Sequence, residues 1–143
     1  MDKRNTPQKT PKIGEIYVLR FDGSGSVQSG IRPGLVFQNN IGNKYSPNVV
    51  VYPLTTSLKK SQMPTHVVLN AKDTGLARDS MVLCENPQCV PKDCLGTYLT
   101  TIPDHYMRQI ATASIMASGA ISFIDPDSLY DVWQQAYSLN AAS

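Results

Sequence analysis

Between residues 13 and 21, Ile13, Ile16, Val18 and Phe21 are set apart by polar or small positions, and this spacing predicts a strand. The next stretch, DGSGSVQSG at 22–30, has no apolar period and reads as a Gly/Ser loop. Apolar character returns in RPGLVFQNN, a strand begun through Pro33. A proline pushes the residue before it into extended backbone, so Arg32 is expected at a loop-to-strand junction, its side chain aimed off the strand end. IGNKYSP predicts a turn. NVVVYPL, at 48–54, is an apolar run without alternation, the pattern of a strand buried on both faces. The polar TTSLKKSQMP then leads to a strand at THVVLN and to a turn, with one helical turn, at AKDTGLARD. SMVLCENPQCVP predicts a strand broken at Pro87, and CLGTYLTTIP a short strand ahead of a helix.

Pro103 and Asp104 suit the first turn of that helix. Met107, Ile110, Ala111, Ser114, Ile115 and Ser118 then form a narrow apolar-to-small stripe at helical spacing. ISFIDPDS interrupts it. Asp127 or Ser128 can cap a second helix with Leu129, Val132, Trp133, Ala136 and Leu139 on one face. No internal repeat is present. Five to seven short strands followed by a helix predict a mainly β fold: a small barrel closed by a C-terminal helix, with an extra C-terminal helical extension. The chain of 143 residues suits one domain with a sizeable core.

Composition narrows the class. Hydrophobic residues make up 41% of the chain and charged ones 17%, a globular balance rather than a disordered one. No apolar stretch matches a membrane span, and MDKRNTPQKTPK lacks the apolar core of a secretory signal. A cytoplasmic protein without membrane contact is therefore expected. Cys84, Cys89 and Cys94 are an odd number, which suits reduced thiols. Their five-residue spacing does not match the tighter cysteine pairs of zinc sites, so no metal and no cofactor are expected. Of the formal charge of +2, the first twelve residues alone carry a net +3, from Lys3, Arg4, Lys9 and Lys12 against Asp2. The remainder holds nine basic and ten acidic side chains. Any nucleic-acid contact must come from a few placed residues or from this basic N-terminal arm, residues 1–12. A flexible, solubilising arm is the simpler reading of that segment.

The lone Arg32, between a Gly/Ser loop and a buried strand, is the position whose chemistry stands out. A guanidinium is a planar, permanently charged fork that grips two oxygens of one phosphate. By itself this position reads more simply as a surface salt bridge, and Thr55 as a strand-end hydroxyl.

IGEIYVLRF, GIRPGLVFQNNIGNKYSP, PLTTSLKK, PTHVVLNAKDTGLARDSMVLCE and ISF, in this order, together resemble the MazF/PemK toxins, in the branch of Gram-positive bacteria. The resemblance covers about residues 13–124 and leaves 125–143 as the helical extension. It implies an SH3-like barrel, a homodimer, and a toxin of a type II toxin–antitoxin system. It implies metal-independent, sequence-specific cleavage of single-stranded RNA, and an acidic MazE-like antitoxin segment laid in the RNA groove. Carried onto this sequence, it places Arg32 at the scissile phosphate and Thr55 facing it, with Thr56 the close alternative. Ser26, Gln28, Thr56, Asn86 and Gln88 are then expected to bind the RNA.

The chain departs from the family pattern at three places. Val27 stands where a glutamate is common, and Gln88 and Cys94 where arginines are usual. Two further readings keep the same fold: a non-enzymatic barrel toxin similar to the CcdB gyrase inhibitors, and a folded toxin without activity. The ending LNAAS lacks the Trp-Gly-Ile by which CcdB engages gyrase. His66 is expected to be a hydrogen-bonded strand histidine rather than a proton carrier, and His105 a solvated one.

Overall fold

The run at 48–54 forms β3 (Asn48–Thr55), and it is buried on both faces as its lack of alternation predicts. The computed structural model describes residues 10–21 and 30–142, so most of the basic arm lies outside the described residues. Around β3 stand β1 (Glu15–Phe21), β2 (Gly30–Val36), β4 (His66–Leu69), β5 (Ser80–Leu83), β6 (Gln88–Pro91) and β7 (Leu95–Thr101). Four α-helices accompany them among the described residues: α1 (Asn40–Tyr45), α2 (Ala71–Thr74), α3 (Asp104–Ser118) and α4 (Pro126–Ala142). All pairings are antiparallel, in the order β4-β5-β3-β2-β1-β7, with β6 on β3 as well. The mainly β architecture with C-terminal helices is as expected.

Alternation along the central strands sorts the core into two clusters. Val49 and Val51 of β3 join Tyr17, Leu19 and Val36 on one face. Tyr52 and Leu54 join Ile16, Leu35, Val67, Leu69 and Val82 on the other, where Ile110 and Ala113 of α3 cover them. Each fully buried Val, Leu or Ile contributes about 1.5–3 kcal/mol of transfer free energy. The inward set expected for β1 is therefore incomplete. Ile16, Tyr17 and Leu19 are buried, because the strand is covered on both sides and bulged against β7. Gly96 lies beside that bulge; a Cβ there would meet the Val18 carbonyl oxygen at 2.8 Å.

Three local expectations need correction. IGNKYSP is not a turn but lies largely in α1, whose N-terminus is capped by the Asn39 side chain accepting from the Gly42 N–H at 2.8 Å. Asn43 holds it in place. Fully buried, its amide donates to the Gln38 carbonyl (2.8 Å) and to Asn40 Oδ1 (3.1 Å), and its oxygen accepts from Gln38 Nε2 (3.2 Å). A buried amide needs such partners, and a six-residue helix supplies them. On α3 the buried residues are Tyr106, Ile110 and Ala113, with Met107 and Ser114 partly covered. Ala111 and Ile115 of the expected stripe face outward. Gly119, in the left-handed region at φ 76°, ends this helix. α4 starts earlier than expected. Pro126 occupies its first turn; the Asp125 main-chain carbonyl accepts from the Leu129 N–H (2.9 Å), and its carboxylate accepts from Ser128 Oγ (3.1 Å).

Strand pairing does not close the expected barrel. β4 and β7 are the two ends of the sheet and do not pair. β4 has four residues and leads directly into α2, so side chains span the gap instead. Thr100 Oγ1 donates to the Thr74 carbonyl at 2.6 Å. The Tyr106 hydroxyl donates to Asp73 Oδ2 at 2.7 Å and accepts from the Asn70 N–H at 3.2 Å. This donation holds the Asp73 carboxyl below its ordinary pKa, and raises that of Tyr106. Asp73 therefore binds its proton less readily in the folded state. Its contribution is present above its unfolded pKa of about 3.9 and is lost as pH falls through the lowered native value. Tyr106→Phe is expected to lower the urea midpoint at pH 7 and to flatten the loss of stability below about pH 4, as read from denaturation curves across pH.

Burial also separates the three thiols. Cys84 lies in the main core, 1% exposed, and burial pushes its thiol up to about 12. Cys89 and Cys94 are exposed. A colorimetric thiol reagent at pH 8 should label Cys89 and Cys94 in the native protein and Cys84 only after unfolding. Rapid labelling of all three without denaturant would contradict this packing.

Candidate active site

The register of the sheet builds the site. Gly34 of β2 lies opposite Pro53 of β3. Carried two residues further, the same register sets Arg32 across from Thr55, on the sheet face that holds Val36, Val49 and Val51. Arg32 is not at a loop junction as expected. It is the third residue of β2, opposite Leu19 of β1, and half-buried. Its neighbours Gly30 and Ile31 already pair with Phe21 and Arg20. The pairing therefore holds its backbone on a rigid strand rather than on a loop.

Arg32, Pro33, Leu54, Thr55, Thr56 and Ser80 line one open pocket of about 220 Å³. Its polar lining is a guanidinium and three hydroxyls, with no carboxylate. That set suits an anion. Thr55 Oγ1 accepts from the Ser57 N–H at 3.1 Å, which leaves the hydroxyl proton available to donate into the pocket. Ser80 is engaged the other way: its hydroxyl donates to the Arg78 carbonyl at 3.0 Å. It shapes the wall rather than offering a donor.

The structure thus brings together Arg32, Thr55 and Thr56, three of the residues read from sequence. Ser26 and Gln28, with Val27, lie outside the described residues. Asn86 and Gln88 are not in the pocket. Gln88 opens β6 opposite Val51, four residues or about 13 Å along β3 from Thr55. Alternation still puts Gln88 on the same sheet face as Thr55 and Arg32. Cys94 is exposed in a single 3₁₀ turn before β7. His66 is three residues from the pocket end of the β4–β5 ladder and has both ring nitrogens engaged. Nδ1 lies 2.8 Å from the Lys60 carbonyl and Nε2 2.6 Å from Glu85 Oε1. It is a hydrogen-bonded strand histidine, as expected.

Sequence reading missed Ser80, which reaches the pocket only through the pairing of β5 with β3. It also missed a clustering of cations. Arg20 near the end of β1, Arg32 near the start of β2 and Arg78 just before β5 all fall at one end of the sheet. Asp79, the acid beside them, is occupied in accepting from the Ala71 N–H at 2.8 Å. These arginines are scattered in sequence, so no local charge run announces them.

Residues 12–115 match the family model described as PemK-like, MazF-like toxin of type II toxin-antitoxin system. The chain belongs to this toxin family. It is 38% identical over 113 residues to Endoribonuclease EndoA of Bacillus subtilis (strain 168), covering 78% of this chain and 97% of that protein. A mycobacterial endoribonuclease solved in complex with its cognate antitoxin superposes with a TM-score of 0.65 at 30% identity, covering 76% of this chain and 95% of that one. MazF from Deinococcus radiodurans, with a TM-score of 0.67 at 22% identity over 78% of this chain and 98% of that one, shares the fold. The PemK/MazF match stops before α4, so the last helix is additional to what the family model describes.

Arg32 is half-buried, and no salt bridge between described side chains involves it. Arg32→Ala is expected to change unfolding free energy by less than about 0.5 kcal/mol in urea titration, the range of surface substitutions away from caps and core. A larger loss would assign Arg32 to stability rather than to the pocket.

Proposed function

We propose that the chain is a metal-independent endoribonuclease of the PemK/MazF type that cuts single-stranded RNA in the cytoplasm, with Arg32 and Thr55 at the scissile phosphate. The observation that carries this reading is one pocket, beyond the end of the β2–β3 ladder, lined by both a guanidinium and a hydroxyl with its proton free to donate. RNA can supply its own nucleophile. The 2′-oxygen attacks the adjacent phosphorus, the bond to the 5′-oxygen breaks, and the products are a 2′,3′-cyclic phosphate and a 5′-hydroxyl. The 2′-hydroxyl gives up a proton and the leaving 5′-oxygen takes one. Negative charge builds on the non-bridging oxygens between these events. Arg32 is suited to stabilise it with two parallel N–H donors, and Thr55 with a third. Arginine does not exchange its proton at neutral pH, so proton transfer falls to other groups.

Gln88, on the same sheet face about 13 Å away, suits a contact to a neighbouring nucleotide, and Asn86 lies in the turn beside it. Ser26, Gln28 and Thr56 complete the proposed RNA-binding set. The catalytic unit is residues 13–124, and 125–143 is an extension that holds α4. Two copies are proposed to share one RNA groove, since a single small sheet offers few nucleotides' worth of surface. An acidic antitoxin segment is proposed to occupy the groove near Arg32 and exclude RNA.

Initial cleavage rates on a single-stranded RNA test the mechanism. Arg32→Ala should lose on the order of a hundredfold or more, by analogy with removal of an oxyanion donor. Thr55→Ala should lose less, about tenfold, the worth of one neutral hydrogen bond. Arg32→Lys should recover little, since an ammonium cannot span two oxygens in one plane. EDTA should leave the rate unchanged. Near wild-type cleavage by Arg32→Ala, or loss of activity on chelation, would overturn the proposed chemistry.

A further inference from the structure

α4 is amphipathic, but among the described residues nothing covers its apolar face. It runs beside the short α1, yet every residue from Pro126 to Ser138 is exposed. Leu129, Tyr130, Val132, Trp133 and Tyr137 stand 49–62% open. At 100° per residue they fall, with Ala136, on one side of the helix, while Asp127, Asp131, Gln134, Gln135 and Ser138 fall on the other. Within the apolar side the residues are sorted again. Leu129, Val132 and Ala136 form an aliphatic edge, and Tyr130, Trp133 and Tyr137 an aromatic one.

A 17-residue helix in water, without a covered face, is marginal. The five open apolar side chains present roughly 600 Å², most of the about 800 Å² per partner that a stable protein–protein contact uses. Phe123, 91% exposed, adjoins the helix and extends the surface. This apolar side carries no charge, so a partner selected by ion pairs has nothing to read there. A second α4 fits it. A two-fold, antiparallel pairing lays aromatic edge on aromatic edge and aliphatic on aliphatic, and leaves Asp127 and Asp131 on the outer faces, away from one another.

We infer that α4 is a self-association helix, which pairs with α4 of a second copy of this chain through the Leu129–Tyr137 face. The inference is independent of the nuclease reading, since the family match ends at residue 115.

Trp133 is the only tryptophan of the chain and reports directly on this face. In the full-length protein, its emission should shift to the blue and its quenching by acrylamide should fall as concentration rises through the association range seen by sedimentation. Val132→Glu keeps the reporter and puts a charge in the contact. It should weaken association at least tenfold and hold the emission at the exposed wavelength. Ser138→Glu, on the polar side, should do neither. A dimer held only by the sheet would sediment as a dimer with Trp133 still exposed, and that result would overturn the inference. So would a blue emission that persists at concentrations where sedimentation shows the monomer, which would mean that α4 folds onto its own chain.

Discussion

Pairing and burial of β3 on every side is the constraint on which the rest depends. Its two faces feed the two core clusters, β2 holds one edge, and β5 and β6 share the other. A strand held this way cannot slip, because a shift of one residue would exchange Val49 and Val51 with Tyr52 and Leu54 between unlike pockets. Thr55 is its last residue, so its position is set by the whole core rather than by a loop. Arg32 is held on β2 by its pairing with Leu19 of β1, two residues beyond the β2–β3 ladder. Two groups proposed to meet one phosphate are thus placed by packing that neither of them contributes to.

The ends of the sheet divide the chemistry. Arg20, Arg32 and Arg78 gather where β1 ends and β2 and β5 begin. Beyond Arg108 the sequence has three aspartates and no basic residue, and all three flank or lie within α4. An RNA backbone approaching the molecule meets opposite fields at these two regions, and the cationic end is where the pocket opens. Arg32 and Thr55, the two groups proposed to act on the phosphate, both stand on strands.

α3 and α4 show why a periodic stripe is a weak guide to burial. Both have apolar residues at helical spacing. α3 covers the main core with Tyr106, Ile110 and Ala113, and Tyr52 donates to Ser114 Oγ at 2.9 Å. The aromatic Tyr106 is inward because its hydroxyl bridges β4 and α2, a requirement that no count of apolar residues contains. α4 carries the larger apolar side chains on its stripe and packs little of them. The difference lies in what each helix meets after its connection, not in its composition.

The sequence by itself determined the strands, because a two-residue period and a doubly buried run are local signals of burial. It determined α3 from Pro103 onward, and it singled out Arg32 and Thr55 through the motifs around them. It did not determine α1, whose existence rests on the buried amide of Asn43 finding partners in Gln38 and Asn40. Nor did it determine that the sheet stays open, since that depends on a four-residue β4 passing straight into α2. The pocket itself belongs to tertiary structure. Ser80 and Arg78 lie more than twenty residues beyond Thr55, and only antiparallel pairing of β5 with β3 brings them to its side. Side-chain period is carried along one strand and can be read there. Register between strands is set by the packing of all of them at once, and no single stretch of sequence holds it.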